Sequence, residues 1–461
     1  MRMKRIAFGV WALTVAACGT DSATDPQPVA TWHGGIHALL VEKCGGCHTD
    51  GGAGPFPLDD YDSAVEMSGR ALGAVEDGIM PPWGAQDTDE CAPTRPWKDD
   101  LRLSDAERAL LREWVLTDTP LGDPATAIDL PQRPSLEITD PTVSRTFQTA
   151  FTVMGHRPDV FECFVLDPGI TEKAWITAAQ VTPGNRTIAH HALVFLDKVG
   201  ASEALATDGH FPCFSNPDID GSLIAAWAPG AVPATLPEGA GIPIKPGARI
   251  VVQMHYHAAA QAEIDQSSVQ LSLTNTQPEY EAALALLGNF SKLDAAKNTG
   301  LMPGPNDGAN GPEFLIPAGV RGHTETMVYK HLDVPIAVPV FSVGAHMHYV
   351  GTDMRIERTF ADGSADRECL LQTPKWDFNW QRTYRYDVPI EELPTIGAGD
   401  EIVMRCTYDN SMNNEFVVDA LKEQGLEVPV PVQLGEQTLD EMCLGVFGVL
   451  APAGLIDLLD P

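Results

Sequence analysis

A mainly β chain with a small α domain at its N-terminal end is what the sequence predicts, and three observations carry that reading. Glycine and proline are abundant, 41 and 37 of 461 residues, while only 20% of residues are charged. That balance suits short strands and turns better than long helices. From about residue 146 onward, β-rich runs alternate with Gly, Pro and Asn turns: Ala174 to Val181, Ile188 to Leu196, Arg249 to Tyr256, Val340 to His348 and Glu401 to Thr407. Ahead of them, Ser104 and Glu107 form a capping box before Leu110, Leu111, Trp114 and Val115, which marks an amphipathic helix. The length and a hydrophobic share of 44% suffice for two or three domains with their own cores and exclude disorder of the whole.

The first residues read as an export signal. Arg2, Lys4 and Arg5 precede an uncharged, mostly apolar run from Ile6 to Ala17, too short for a spanning helix. Val15-Ala16-Ala17-Cys18 resembles a bacterial lipoprotein processing box, with residues 1–17 removed and Cys18 the lipidated N-terminus. The expectation is an exported lipoprotein facing the periplasm or cell exterior, held to the membrane by its lipid anchor alone, with 18–30 as a polar tether. Asp and Glu number 63 against 30 Lys and Arg, a net charge of −33. Such a field repels phosphate backbones, so nucleic acid is excluded as a partner.

Cys44-Gly45-Gly46-Cys47-His48 is a C-x-x-C-H motif, the pattern of c-type haem attachment: two thiols bond the haem vinyls and the adjacent His ligates iron. A redox C-x-x-C does not need the trailing His, and no second C-x-x-C completes a zinc site. Downstream, Gly78-Ile79-Met80-Pro81-Pro82-Trp83 offers Met80 as sixth ligand, because the prolines favour an extended loop from which a thioether can be aimed. Met67 competes but sits in a helix-like stretch and is assigned to the core. The order of these features resembles class I cytochromes c over residues 31–120. One haem c, fed by an upstream electron donor, is the implied cofactor. Residues 121–145, rich in Pro, Asp and Thr, read as a linker.

The 13 histidines are unevenly placed. His190-His191, His255-Tyr256-His257 and His346-Met347-His348 each lie in or at the end of an apolar run. Residues two apart share a strand face, so His346 and His348 can grip one ion while Met347 faces away. Adjacent His190 and His191 can do so only if the strand ends or bulges there. Imidazole and thioether donors without clustered carboxylates favour copper or zinc over calcium or magnesium.

Asn185-Arg186-Thr187-Ile188-Ala189-His190-His191, Val251-Val252-Gln253-Met254-His255-Tyr256, His346-Met347-His348 with Gly351, and Asp440-Glu441-Met442-Cys443 stand in the order seen in copper type II, ascorbate-dependent monooxygenases. Ala226-Trp227-Ala228-Pro229-Gly230 and Leu236-Pro237-Glu238-Gly239 add to the resemblance, which spans roughly residues 146–455. It implies two jelly-roll-like β-sandwich domains, 146–278 and 279–461, each with one copper, facing across a water-filled gap. His190, His191 and His255 would hold the electron-storing copper. His346, His348 and Met442 would hold the copper that meets dioxygen, where a soft thioether favours Cu(I). The family pattern has no counterpart of His257. It pairs Cys163 with Cys213 and Cys406 with Cys443, and leaves Cys91 and Cys369 either bridging the haem domain to the second sandwich or free.

The positions where peptide-amidating members bind a substrate carboxylate hold Gly344, Leu444 and Val446, none able to pair with one. This predicts a pocket without a cation and a substrate other than a glycine-extended peptide. Trp376, Phe378, Trp380 and Tyr384 form an aromatic cluster read as core packing in preference to a substrate wall. Two functions follow: a monooxygenase hydroxylating a C–H bond of a small organic substrate with dioxygen, its tethered haem replacing ascorbate, or a non-catalytic copper-binding electron-transfer or copper-sensing lipoprotein.

Overall fold

The computed structural model describes residues 29–455 apart from 51, 53, 132–136, 156–158, 215, 216, 218, 229–231, 258, 331–335, 365, 436 and 438. The export signal, Cys18 and all but the last two residues of the tether lie outside the described residues. Strands hold 37% of the chain and helices 15%, so the protein is mainly β. Among the described residues no helix is long and apolar enough to cross a membrane.

Near the N-terminus three helices, α1 (His37–Lys43), α2 (Tyr61–Glu76) and α3 (Asp105–Leu116), enclose a core of their own that includes Trp32, Ile36, Leu40, Leu72, Leu111 and Trp114. Helix α3 begins where the capping box places it: the Glu107 N–H donates to Ser104 Oγ and the Ser104 N–H to Glu107 Oε2. Leu111 and Trp114, three apart, fall on one face and are buried there.

The β region has three principal layers. One five-stranded antiparallel sheet runs His210–Pro212, Asp159–Leu166, Arg249–His257, Ala189–Asp197, Gly221–Trp227. A second runs Gly300–Leu301, Arg321–Lys330, Glu401–Asp409, Gly351–Thr359, Arg367–Thr373. A single long sheet serves both as partner: Val143–Thr146, Ser268–Thr274, Ala174–Thr182, Ala240–Ile244, Tyr280–Gly288, Leu444–Pro452, Val338–His346, Thr383–Arg385. Its halves meet in a short parallel pairing, Tyr280 with Ala240 and Glu281 with Gly241. Strand Glu401–Asp409 shows why these segments pack: Ile402, Met404, Cys406 and Tyr408 alternate inward and are fully buried. Burying an aliphatic side chain of this kind contributes about 1.5–3 kcal/mol.

Three disulfides form. Cys163–Cys213 and Cys406–Cys443 are the pairs the resemblance implies, and Cys91–Cys369 takes the bridging alternative. The last belongs to a longer attachment. The segment from Gly84 to Asp99 lies along the second five-stranded sheet and the edge strand Thr383–Arg385. The Gln86 N–H donates to the Gln372 carbonyl (3.0 Å), the Lys98 N–H to the Arg385 carbonyl (2.8 Å) and the Asp387 N–H to the Pro96 carbonyl (2.9 Å). Trp97 stacks on Tyr386, Arg95 pairs with Glu368, and Asp99 with Arg385 at 2.7 Å. The helical N-terminal region is therefore fastened to the β region by a strap, whereas the sequence suggested a flexible tether through 121–145.

A Cys369→Ser variant is expected to lose roughly 2–4 kcal/mol of the free energy that holds the strap down, the usual range for removing a crosslink. Hydrogen exchange should quicken at Gln86 and Lys98 and stay unchanged in strand Ala189–Asp197. An equal rise in both would show that the disulfide supports the whole molecule, not the strap.

Candidate functional site

Strand pairing explains how adjacent histidines come to share a target. His191 pairs with His255 and Ala189 with Tyr256, so His190 is the extra residue of a β-bulge. The bulge turns both side chains to one side, the condition set by the sequence. Their Nδ1 atoms and that of His255 form a near-equilateral triangle with sides of 3.2, 3.2 and 3.3 Å. Its centre lies about 1.9 Å from each nitrogen, close to a metal–imidazole bond. Burial first, and the neighbouring imidazoles next, hold His191 well below the ordinary histidine range, so a neutral ring offers its lone pair. Phe161 stacks on His255 at 4.2 Å. His257, exposed, stays outside the triangle, with its ring 6.0 Å from that of His190. Three imidazole nitrogens and no carboxylate fit copper or zinc.

The second set is built differently. His346 ends strand Val338–His346, and His348 follows in the next turn, with the rings 5.4 Å apart and nearly perpendicular. His346 Nδ1–H donates to Gln381 Oε1 at 2.7 Å, and His348 Nδ1–H to the Asp440 carbonyl at 3.0 Å. Gln381 Nε2 donates to the Phe378 carbonyl, which settles which way that amide faces. Each ring thus keeps Nε2 free as a ligand atom. Burial drives His348 down to about 3, and His346 adds to the shift. Met347 between them is fully buried and turned away; a Cβ on Gly351 would lie 2.7 Å from its Cβ, which is why only glycine fits there.

Glu441 draws Met442 to this set. Its carboxyl is fully buried, and one oxygen accepts both the His348 N–H and the Met442 N–H, the latter at 2.7 Å. Burial pushes that carboxyl up to about 8 against the pull of these backbone donors. Tyr408 donates to the Met442 carbonyl at 2.9 Å, and Cys443 beside it is in the disulfide with Cys406. His346 pairs with Leu444, which lays the two arms side by side. Two histidines and a thioether on this frame fit a softer copper site than the first.

Phe378 lies between the sets. Its ring is 5.5 Å from that of His190 and 6.4 Å from that of His348, and it packs on Tyr349 at 4.2 Å. An aromatic ring thus stands between the two sets, in the gap that the resemblance implies. The cluster read as core packing is divided: Trp376 Nε1 donates to the His348 carbonyl, Trp380 lines a cavity, and Tyr384 packs on Trp83 and Trp97. Sequence reasoning missed Gln381 and Phe378 as site residues. An aromatic run close behind the His346/His348 pair was the available signal, but its direction depends on the turn Phe378–Trp380.

The cavity, of ≈ 280 Å³, touches both sets through His191 and His346, and Gly344, Leu444 and Val446 lie on its wall. Arg382 and Arg385 line it too, which corrects the expectation of a pocket without a cation.

In the helical region Cys44 and Cys47 are free thiols. Burial pushes Cys44 up to about 12, which suits a structural attachment point better than a redox thiolate. His48 Nδ1–H donates to the Phe56 carbonyl at 3.0 Å, leaving Nε2 as a ligand atom, and a Cβ on Gly54 would crowd that ring. Met80 is half-buried in the turn after α2, and Met67 packs against the helical core as assigned. Cys44, Cys47 and His48 thus offer the two thiols and the imidazole that a c-type haem attachment uses.

Comparison with known proteins bears on the second half of the chain. Residues 311–446 match the family model for the C-terminal domain of copper type II ascorbate-dependent monooxygenases. A tyramine beta-hydroxylase of Caenorhabditis briggsae is 25% identical over 236 residues, which are 50% of this chain and 36% of that protein; the chain thus spans about a third of that relative's length. Both matches support an oxidoreductase of the copper monooxygenase class. Among solved structures, the infectious bursal disease virus VP2 subviral particle covers 69% of this chain and 75% of its own at 9% identity with a TM-score of 0.19, too low to bear on the fold.

Two substitutions check the architecture of the site. Glu441→Gln keeps a neutral acceptor for both N–H groups and should retain copper at the second set. Glu441→Ala orphans those donors at a cost of about 1–3 kcal/mol each and should release that copper, as read by metal analysis. Phe378→Ala should lower stability by about 3 kcal/mol through the cavity it leaves, while two coppers stay bound. Loss of a copper would make Phe378 part of a ligand shell and not a divider.

Proposed function

We propose that the protein is a copper monooxygenase that inserts one oxygen atom of dioxygen into a C–H bond of a small organic substrate and draws its electrons through a haem c on residues 31–120. The observation that carries this reading is the meeting of two unlike donor sets at one aromatic ring, beside a cavity of ≈ 280 Å³ that touches both. A sensor or storage protein has no need of that cavity, and this favours catalysis over the non-catalytic alternative.

Copper at the two sets would supply electron storage at one and dioxygen activation at the other. The chain's own residues prepare each task. His190, His191 and His255 present a rigid, all-nitrogen face. Gln381 and the Asp440 carbonyl fix the tautomers of His346 and His348, and Glu441 ties the Met442 backbone to that of His348. Phe378 stands between the sets. Hydroxylation uses two electrons and two protons besides dioxygen, with the second oxygen atom leaving as water. Cys44, Cys47, His48 and Met80 would hold a haem that would supply electrons one at a time, and His190, His191 and His255 would hold the store that a two-electron reaction needs. The strap holds the helical region against the second five-stranded sheet, which supports a reading in which electrons are delivered within the same chain. In this reading Cys18 carries the lipid, and the protein works outside the cytoplasm, reduced by an upstream donor.

The test is dioxygen consumption coupled to a hydroxylated product with the full-length, metal-loaded protein. His348→Ala should lose about one copper of two and all product, because one ligand set is broken and the other kept. Met80→Ala should retain the covalently bound haem yet lose the weak red-region absorption of Met-ligated ferric haem. Copper binding without any coupled dioxygen consumption would return the protein to the electron-transfer or sensing reading.

A further inference from the structure

The cavity beside the second donor set carries an unusual charge pattern for this chain. Of 63 Asp and Glu residues, none is among its described lining residues, whereas Arg382 and Arg385 both are. Arg385 is neutralised: it pairs with Asp99 of the strap at 2.7 Å and donates to the Thr235 carbonyl. Arg382 has neither hydrogen bond nor ion pair from its guanidinium among the described residues. It lies over the ring of Trp83, its Cζ 5.1 Å from the centroid, a contact that positions a cation without removing its charge. The remaining wall is largely apolar, with Trp380, Leu223, Leu284, Leu444 and Val446. Arg382 and His346 line the same cavity, as does Gln381, whose side chain holds His346.

We propose that Arg382 is the anchor for a carboxylate on the substrate, and that the substrate is an acid with an apolar aryl or alkyl body. This rests on the monooxygenase reading of the same cavity and names its substrate class. Burial pulls the Arg382 pKa down, and nearby Tyr384, Cys47 and Asp99 offset this only in part, with no ion pair to it among the described residues; a bound carboxylate would remove the remaining cost through a bidentate pair. An amine would meet the reverse, the Arg382 cation and no carboxylate among the described lining residues. The chain's net negative charge does not forbid an acid, because at physiological salt surface charges are screened beyond about 8 Å. The apolar walls take the body of the ligand, and the anchored end sets which carbon is held toward His346.

Binding to the full-length, copper-loaded protein, followed by quenching of tryptophan fluorescence, separates this from turnover. The probes are three compounds with one phenylalkyl body ending in a carboxylate, a primary amide or an ammonium group. The acid should bind most tightly, and Arg382→Gln should weaken it by about 10–100-fold, the worth of a charge-assisted pair, while the amide is unchanged. Arg382→Lys should restore part of the acid's affinity. Trp83→Leu, which removes the platform and not the charge, should cost the acid less. Equal binding of all three compounds, tighter binding of the amine, or no binding of any would overturn the assignment. Selective binding of the acid with no coupled dioxygen consumption would leave the anchor in place and reject the monooxygenase reading instead.

Discussion

The long sheet that runs through both halves of the β region is the constraint on which everything else depends. Its two halves join by backbone pairing at Tyr280–Ala240 and Glu281–Gly241, so the donor sets, one on a five-stranded sheet packed on it and one at the end of its own strand Val338–His346, stand in a relation fixed by hydrogen bonds and not by a linker. A ring as small as that of Phe378 can touch a histidine of each set only if that relation is kept. Were the halves free to rock, neither the divider nor the shared cavity would persist.

Upon that frame the chain uses local irregularity for chemistry. The bulge at His190 breaks strand register and gains a third nitrogen for the first set. A buried carboxyl at Glu441 is costly in an apolar interior, yet its one oxygen joins the backbones of His348 and Met442, residues far apart in sequence. The disulfide at Cys443 and the Tyr408 hydroxyl hold the same arm from other sides. Two sets of unlike softness follow from these supports as much as from the ligands themselves.

The strap gives the N-terminal helices a place. Gln86, Thr88, Cys91, Arg95, Trp97 and Asp99 all engage the second five-stranded sheet or the edge strand Thr383–Arg385 and its flanks. Trp83 meanwhile reaches Tyr384 and Arg382. The region that would carry the haem therefore shares side chains with the wall of the cavity, and a change in one is felt in the other.

The sequence alone determined the class of fold, the three paired histidine motifs, the C-x-x-C-H with its trailing Met80, and the condition that His190 and His191 need a bulge. These are local: periodicity, spacing and donor chemistry are properties of a few neighbouring residues. Tertiary structure decided the rest. Phe378 as divider, Gln381 and Glu441 as supports, the Cys91–Cys369 bridge and the cation at Arg382 each depend on residues brought together from distant segments. No spacing rule could foresee that Arg382 would have no ion pair among the described residues while Arg385, three residues on, found Asp99. The physical reason is that a charge takes its meaning from the partners burial leaves it, and only the folded chain sets those partners.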